Sequence, residues 1–173
     1  MRNVRIPACA FLLLAALFVL LLVSSAPSLP ATIATHFNAH GKPNAWMRSS
    51  SYLAFFAAFG LGVPAIIVAA FYMVRWLPPG LINIPRRNFW LAAERASSTH
   101  RYLLARGLWL ACMMLAFLLA VHYAVVQANQ LAPAHLAPKS ILVPLGTFVI
   151  ALVIWIITFL RYFARAQATS GES

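Results

Sequence analysis

Acidic side chains are almost missing from this chain of 173 residues, which has two Glu, Glu94 and Glu172, and no Asp at all. The absence of Asp excludes Ser-His-Asp triads and paired-aspartate chemistry. The remaining polar residues offer no acid–base pair with a third group to orient it, which an active site needs. We therefore expect no catalytic residues, and we predict that the chain is not an enzyme.

Cysteines and metal ligands are also scarce. Cys9 and Cys112 both fall in apolar runs, so we expect buried thiols rather than a disulfide. His36 and His40 are four residues apart and would share one face of a helix, but a zinc site takes three or four protein ligands. Because no Cys, Asp or Glu lies near them, the sequence predicts no metal and no other cofactor. For His36 we expect an ordinary packing or hydrogen-bonding role.

Apolar residues, in contrast, make up 63% of the chain, and charged residues only 9%, against roughly 25% in soluble domains. Four apolar runs contain no charged residue and are long enough to cross a bilayer as helices. They lie at about 6–24, 52–74, 107–126 and 141–160. The sequence thus predicts an all-α fold, an integral membrane four-helix bundle formed by one domain over residues 1–173. One ordered extracytoplasmic loop and one basic cytoplasmic loop would connect its helices.

Several details of the spans carry predictions of their own. Ser24-Ser25-Ala26 resembles a signal-peptide cleavage site, but Pro27 disfavours cleavage, so we expect a retained helix. In the second span, the spacing of Ala54, Ala58 and Gly62 predicts a closely packed helix face, although an Ala-rich span with no special face fits equally well.

The strongest polar group inside a span is His122. Aromatic side chains near the span ends suggest an interfacial belt of Tyr52, Trp76, Trp109, Tyr123 and Tyr162.

The positive charges are distributed unevenly between the two sides of these spans. Ten of the 13 Lys and Arg residues lie in the amino terminus, the tail and the loop at 75–106, whereas Lys42, Arg48 and Lys139 lie on the other side. The positive-inside rule therefore places both termini and the 75–106 loop in the cytoplasm, and residues 25–51 outside. Although the net charge is +11, cations beside apolar spans favour anionic lipid over nucleic acid as the partner.

Each loop has its own local chemistry. Outside, Gly41-Lys42-Pro43-Asn44 predicts a turn, and Trp46 can anchor the returning chain at the interface. Inside, we expect a short helix with Asn88 as its N-cap and an apolar face of Phe89, Ala92, Ala96 and Leu103. Glu94 has no Lys or Arg three or four residues away. We expect it to be solvated or to find its counter-ion among Arg86, Arg87 and Arg101.

Two runs of residues, one in each loop, form motifs. The outer run consists of Leu29, Pro30, His36, Phe37, Asn38, Gly41, Pro43, Asn44 and Trp46. The inner run consists of Asn83, Ile84, Pro85, Phe89, Trp90, Leu91, Glu94 and Arg95. Together they resemble the bacterial membrane domain of unknown function 1648, which also forms the amino-terminal part of SdpI-type immunity proteins. Asn44 stands where that family often has Asp, and Ala93 where it often has Pro.

The resemblance implies a bacterial inner-membrane protein, and for the immunity branch a role in protection against a toxin or in signalling its presence. We expect a non-enzymatic interaction, immunity or signalling protein that presents residues 25–51 outside, to a peptide or membrane-protein partner. The alternative is a small transporter or channel assembled as a homo-oligomer, in which His122 would be the ionisable group within the span.

Overall fold

The computed structural model describes residues 4–164, so Arg2, Arg165 and Glu172 lie outside the described part of the chain. Its elements in chain order are helix α1 (Arg5–Ser25), strands β1 (Thr32–Phe37) and β2 (Pro43–Arg48), and helices α2 (Ser49–Met73), α3 (Arg87–Trp90), α4 (Ala93–Asn129) and α5 (Lys139–Ala164). Short 3-10 turns occupy Ala26–Ser28, Val74–Trp76 and Pro79–Leu81.

Four helices, α1, α2, α4 and α5, are long and apolar enough to cross a membrane, as the four uncharged runs predict. The 21 residues of α1 are about 31 Å long, close to a hydrocarbon core of about 30 Å. The 37 residues of α4 reach about 55 Å, because this helix begins at Ala93 rather than near Gly107. The lengths and compositions together indicate a membrane protein.

Helix α4 occupies the centre, and α1, α2 and α5 each pack against it. Half of the residues in the apolar window of α4 are buried, compared with none in that of α5. Between α1, α2 and α4 the core is built from large side chains that include Phe18, Phe56, Leu115 and Leu118. A second cluster closes the other end of the helices and consists of Ile82, Ile84, Tyr102, Leu103 and Phe163.

The Phe18 side chain of α1 packs directly on Gly60 of α2, which is not in the row predicted from small-residue spacing. A Cβ atom at Gly60 would lie 2.1 Å from Cζ of Phe18, so only glycine fits there. Ala54 and Ala58 are exposed on the outside of the bundle, and a Cβ at Gly62 would meet nothing within 4 Å. Spacing shows which small residues share a face, but the rotation of the helix in the bundle decides where that face points.

The segment between α1 and α2 forms a β-hairpin, which the all-α prediction omitted. Strands β1 and β2 are antiparallel, with Thr32 opposite Arg48 and Phe37 opposite Pro43. The register shifts on both sides of His36, as at β-bulges. His36 and His40 therefore do not share a helix face, since the first is in a strand and the second is in the turn.

The predicted helix from Asn88 is also different in the structure. Arg86 has a left-handed backbone conformation with φ of 53°, and the four-residue helix α3 starts directly after it. Asn88 lies inside α3 and is not its N-cap, because the turn at Arg86 sets the start of the helix. The chain leaves helical geometry after Trp90 and re-enters it at Ala93, so the predicted continuous apolar face is interrupted.

The counter-ion of Glu94 is its neighbour Arg95, and none of the three arginines expected. Oε1 of Glu94 lies 3.1 Å from Nη1 of Arg95. The Glu94 side chain is 67% exposed, so the pair is solvated and contributes little to stability.

The two cysteines are both free, but they differ in burial. Cys112 is buried in α4 with its Sγ 3.9 Å from the carbonyl oxygen of Pro7 in α1. Cys9 is exposed on the outer surface of α1, so the expectation of a buried thiol is correct for Cys112 alone.

Candidate functional site

The hairpin formed by residues 32–48, called here the outer hairpin, has a strand, β1, that is partly buried against the helices and a strand, β2, that is almost entirely exposed. Ile33 is fully buried and Ala34 is 1% exposed, and Leu29 just before the hairpin belongs to the core. In β2, Trp46 is 58% exposed and Met47 is 37% exposed. The buried residues of β1 fix the hairpin on the helices, and β2 is left accessible.

The turn of the outer hairpin is organised by the side chain of Asn38. Its Oδ1 accepts hydrogen bonds from the backbone N–H groups of His40 (2.9 Å) and Lys42 (3.0 Å). The backbone N–H of Asn38 donates to the carbonyl of Lys42 at 2.9 Å and so closes the loop. A short amide side chain suits such a turn because it replaces a backbone acceptor, which explains an Asn at this point of the motif.

Gly41 joins the turn to the connector between α4 and α5. Its φ is +75°, a region that favours glycine, and a Cβ there would lie 2.1 Å from the carbonyl oxygen of Leu136. The N–H of Leu136 donates to the carbonyl of Gly41 at 3.0 Å. The two connectors on this side of the bundle are therefore held together at a position where only glycine fits.

His36 in β1 and Asn44 in β2 are both exposed, and their side chains meet across the two strands. The distance from Nδ1 of His36 to Oδ1 of Asn44 is 2.6 Å, and because an amide oxygen can only accept, His36 carries its proton on Nδ1. The half-buried Phe37 and Pro43 pair beside them, and the exposed Pro30 precedes β1. Within residues 4–164, no group of three or more His, Cys or acidic side chains could hold a metal ion.

An important anchor of the outer hairpin, Asn129, was not predicted from the sequence. Its Oδ1 accepts from the backbone N–H of Ala34 at 2.7 Å, and its Nδ2 donates to the Ala34 carbonyl at 2.9 Å. The amide thus pairs with β1 as a neighbouring strand would. No local pattern around Asn129 identifies it, because its partner is 95 residues away in the sequence.

Residues 12–61 match the model of DUF1648, a domain of unknown function. The match includes most of α1, the whole outer hairpin and the first half of α2, and it supports the family resemblance of the outer run. The inner run begins at Asn83 and lies outside the matched residues. No curated protein and no solved structure matches the chain.

Beneath the hairpin, the segment that matches DUF1648 is tied to α4 by a buried polar cluster around His122. Nδ1 of His122 lies 3.0 Å from the hydroxyl of Tyr52 in α2, and Nε2 lies 3.0 Å from Oγ of Ser25 in α1. His122 is 2% exposed and Tyr52 is 4% exposed. One side chain therefore links the three helices at the level where the outer hairpin begins.

The hydrogen bonds of this cluster determine which ring nitrogen carries the proton. Oγ of Ser25 donates its proton to the carbonyl of Leu22 at 2.9 Å, so it accepts from Nε2–H of His122. Nδ1 is then free of a proton and accepts from the hydroxyl of Tyr52. A neutral imidazole with both nitrogens satisfied is stable in an apolar interior.

At the opposite end of the bundle, the inner motif is centred on Trp90. Its Nε1–H donates to the carbonyl of Phe163 in α5 at 3.1 Å, and its own carbonyl accepts from Oγ1 of Thr99 at 2.8 Å. Its ring stacks on Tyr162 with centroids 4.9 Å apart. Trp90 therefore joins α3, α4 and α5.

The other inner-motif residues surround this joint. Leu91 packs against the second core cluster, which includes Ile82 and Tyr102. The guanidinium of Arg95 lies 4.0 Å from the ring centre of Phe89. Asn83 and Pro85 are exposed, as is Glu94 beside Arg95.

The structure does not bring the outer and inner motifs together. They occupy opposite ends of the helices, separated by about 45 Å of α4 between Thr99 and Asn129.

Proposed function

We propose that this chain is a multi-pass protein of a bacterial inner membrane that acts by recognition and not by catalysis. In this proposal the outer hairpin binds a peptide or membrane-protein partner outside the cytoplasm, in an immunity or signalling role. Both termini and the inner loop lie in the cytoplasm, which the excess of Lys and Arg on that side supports.

The observation that carries the proposal is the contrast between the residues that hold the outer hairpin and those that it leaves exposed. Asn129, Gly41 and the buried Ile33 hold its backbone, while Trp46 and the His36–Asn44 pair remain accessible. A recognition surface that is ordered before binding loses less conformational entropy on association. Tryptophan is moreover enriched among the residues that dominate binding energy.

Site-specific photo-crosslinking in native membranes tests this proposal. A benzoylphenylalanine placed at Ala39, which is exposed in the turn, should give one discrete adduct that mass spectrometry identifies. The variant His36→Ala/Trp46→Ala keeps Asn38 and therefore the turn, and it should lower the adduct yield about fivefold or more.

The matched control for this experiment is Gln127→Ala/Gln130→Ala, which changes two exposed side chains at the same end of α4. It should leave the adduct unchanged. Equal yields from wild type and from the His36/Trp46 variant would contradict recognition by the hairpin.

Transport by a homo-oligomer is the weaker candidate because both ring nitrogens of His122 are engaged within one protomer. A proton relay through His122 would have to break one of these hydrogen bonds. Ion flux in liposomes that requires the purified protein and disappears in His122→Ala would favour transport over recognition.

A further inference from the structure

A pocket with a volume of about 330 Å³ lies between the end of α2 and the first turns of α4, and it is called here the inner basic pocket. Its polar wall consists of Arg75, Ser97, His100 and Arg101. Arg75 comes from the 3-10 turn that follows α2, and the other three residues come from α4. Two elements of the fold thus direct basic side chains to one cavity.

No carboxylate of the described residues balances these charges. Glu94 is the only acidic side chain within residues 4–164, and it lies 3.1 Å from Arg95. It is not among the residues that line the pocket. The cavity is therefore cationic, and a complementary ligand has to be an anion.

The basic side chains of the pocket are held in place by other groups. The guanidinium of Arg75 lies 3.4 Å from the ring centre of Tyr72 and 4.6 Å from that of Trp76. Nη1 of Arg101 donates to Oγ of Ser97 at 2.8 Å. Aromatic contacts and one neutral hydrogen bond fix both side chains without neutralising either of them.

The remaining wall of the pocket is apolar and consists of Phe71, Tyr72 and Leu104. Phe71 and Tyr72 belong to α2, and Leu104 belongs to α4, so the apolar wall is formed by the two helices themselves. A cavity that is cationic at one side and apolar at the other matches a molecule with an anionic head and a hydrocarbon tail. Basic pockets between membrane helices are known to bind anionic headgroups in this way.

We propose that the inner basic pocket binds a phosphate group, which the headgroup of an anionic phospholipid supplies, with Arg75 and Arg101 as its charged donors. Guanidinium groups suit phosphate because they donate two parallel hydrogen bonds. Ser97 and His100 add further hydrogen-bonding capacity. This site is separate from the outer hairpin and does not depend on the partner proposed for it.

Thermal unfolding of the full chain in dodecyl maltoside, followed by circular dichroism, tests the proposal. The probes are dioctanoyl phosphatidic acid, inorganic phosphate and, as the zwitterionic comparison, dioctanoyl phosphatidylcholine. Phosphatidic acid should raise the unfolding temperature in a saturable way, whereas phosphatidylcholine should not. In the variant Arg75→Gln/Arg101→Gln, the concentration of phosphatidic acid that gives half of the maximal stabilisation, the midpoint of the titration, should rise about tenfold, because two charge-assisted contacts are lost.

The matched control is Arg86→Gln/Arg161→Gln, which removes two exposed cations at the same end of the bundle. Its midpoint should stay within about twofold of wild type, because long-range effects of exposed charges are screened. If Arg75→Gln/Arg101→Gln does not fold, Arg101→Gln alone replaces it, with an expected weakening of about threefold.

Three outcomes would overturn the site: an unchanged midpoint in the pocket variant, an equal loss in the control variant, or equal stabilisation by phosphatidylcholine. Stabilisation by inorganic phosphate at the same concentrations would support the site and assign it to a free phosphate. Stabilisation by phosphatidic acid alone would support the site with the lipid as its source.

Discussion

At the scale of single residues, His122 illustrates how this protein uses a polar group inside a span. Burying a charged side chain in an apolar interior is costly, whereas a neutral imidazole with two hydrogen-bond partners avoids that cost. Nε2–H of His122 donates to Ser25 and Nδ1 accepts from Tyr52, so both ring nitrogens are hydrogen-bonded while the imidazole stays neutral. His122 therefore acts as a structural link between three helices.

Tyr52→Phe removes one hydroxyl and should destabilise the protein by about 0.6–1.7 kcal/mol, from the average to the largest value found for hydrogen bonds between membrane helices. Tyr123→Phe is the matched control, because Tyr123 is in the same bundle but 63% exposed. It should change the free energy of unfolding by much less. Unfolding in mixed detergent micelles, followed by circular dichroism, measures both values.

The link to His122 can be tested directly with a double-mutant cycle. In a His122→Leu background, Tyr52→Phe should cost almost nothing further, since the partner of the hydroxyl is already gone. Equal effects of Tyr52→Phe in both backgrounds would contradict the hydrogen bond.

The sequence predicted His122 as the main polar group within a span, but it did not predict its partner. Tyr52 was assigned to the interfacial belt because it stands near the end of a span, and that assignment is wrong: its side chain is 4% exposed. The position of a residue along a helix determines its depth in the membrane. The rotation of the helix about its axis determines whether the side chain faces lipid or the core of the bundle. That rotation depends on packing with α1 and α4, which no local pattern records.

At the scale of elements, α4 adds two hydrogen bonds to the backbone of the outer hairpin, both between Asn129 and Ala34. A two-stranded sheet is marginal by itself, so its attachment matters for its stability. The side chain of Asn129 bonds both the N–H and the carbonyl of Ala34. Ala34 is the last paired residue of β1 before the first register shift.

Asn129→Leu keeps the approximate side-chain size and leaves both backbone groups of Ala34 unpaired, which costs about 1–3 kcal/mol. Amide hydrogens of β1 should exchange about fivefold faster or more, as the hairpin opens more often. Hydrogen exchange with mass spectrometry measures this change. Gln127→Leu alters an exposed side chain of the same helix turn and should leave the exchange of β1 unchanged; faster exchange in both variants would argue against the Asn129 anchor.

Sequence patterns could indicate a turn near Gly41, but not the hairpin as a whole. The strands are short and lack a strict alternation of apolar and polar residues, and their docking partner belongs to a helix far along the chain. The amino-terminal third of α4 was predicted as part of a separate short helix and not as the start of the third span, for a different reason. Hydropathy detects the part of a helix that meets lipid, and this helix continues through charged residues such as Arg95 and Arg101.

At the scale of the whole molecule, the unequal distribution of Lys and Arg predicts which side faces the cytoplasm. Single cysteines can test this in a chain whose own Cys9 and Cys112 are replaced by Ala. Ala39→Cys at the hairpin turn should react with a membrane-impermeant maleimide in intact cells. Ser98→Cys, exposed near the start of α4, should react only after the cells are permeabilised.

Both cysteines should react to the same extent after permeabilisation, which controls for their intrinsic accessibility. Labelling of Ser98→Cys in intact cells, with Ala39→Cys protected, would reverse the proposed orientation.

The length of α4 has a mechanical consequence. One uninterrupted rod carries the attachment point of the outer hairpin at its last residue, Asn129, and that of Trp90 near its beginning, at Thr99. The helix is continuous between these two points, so a movement of the rod along its axis displaces both contacts by the same amount. In the proposed signalling role, a partner that shifts the hairpin would therefore act on α4 directly, along a single piece of secondary structure.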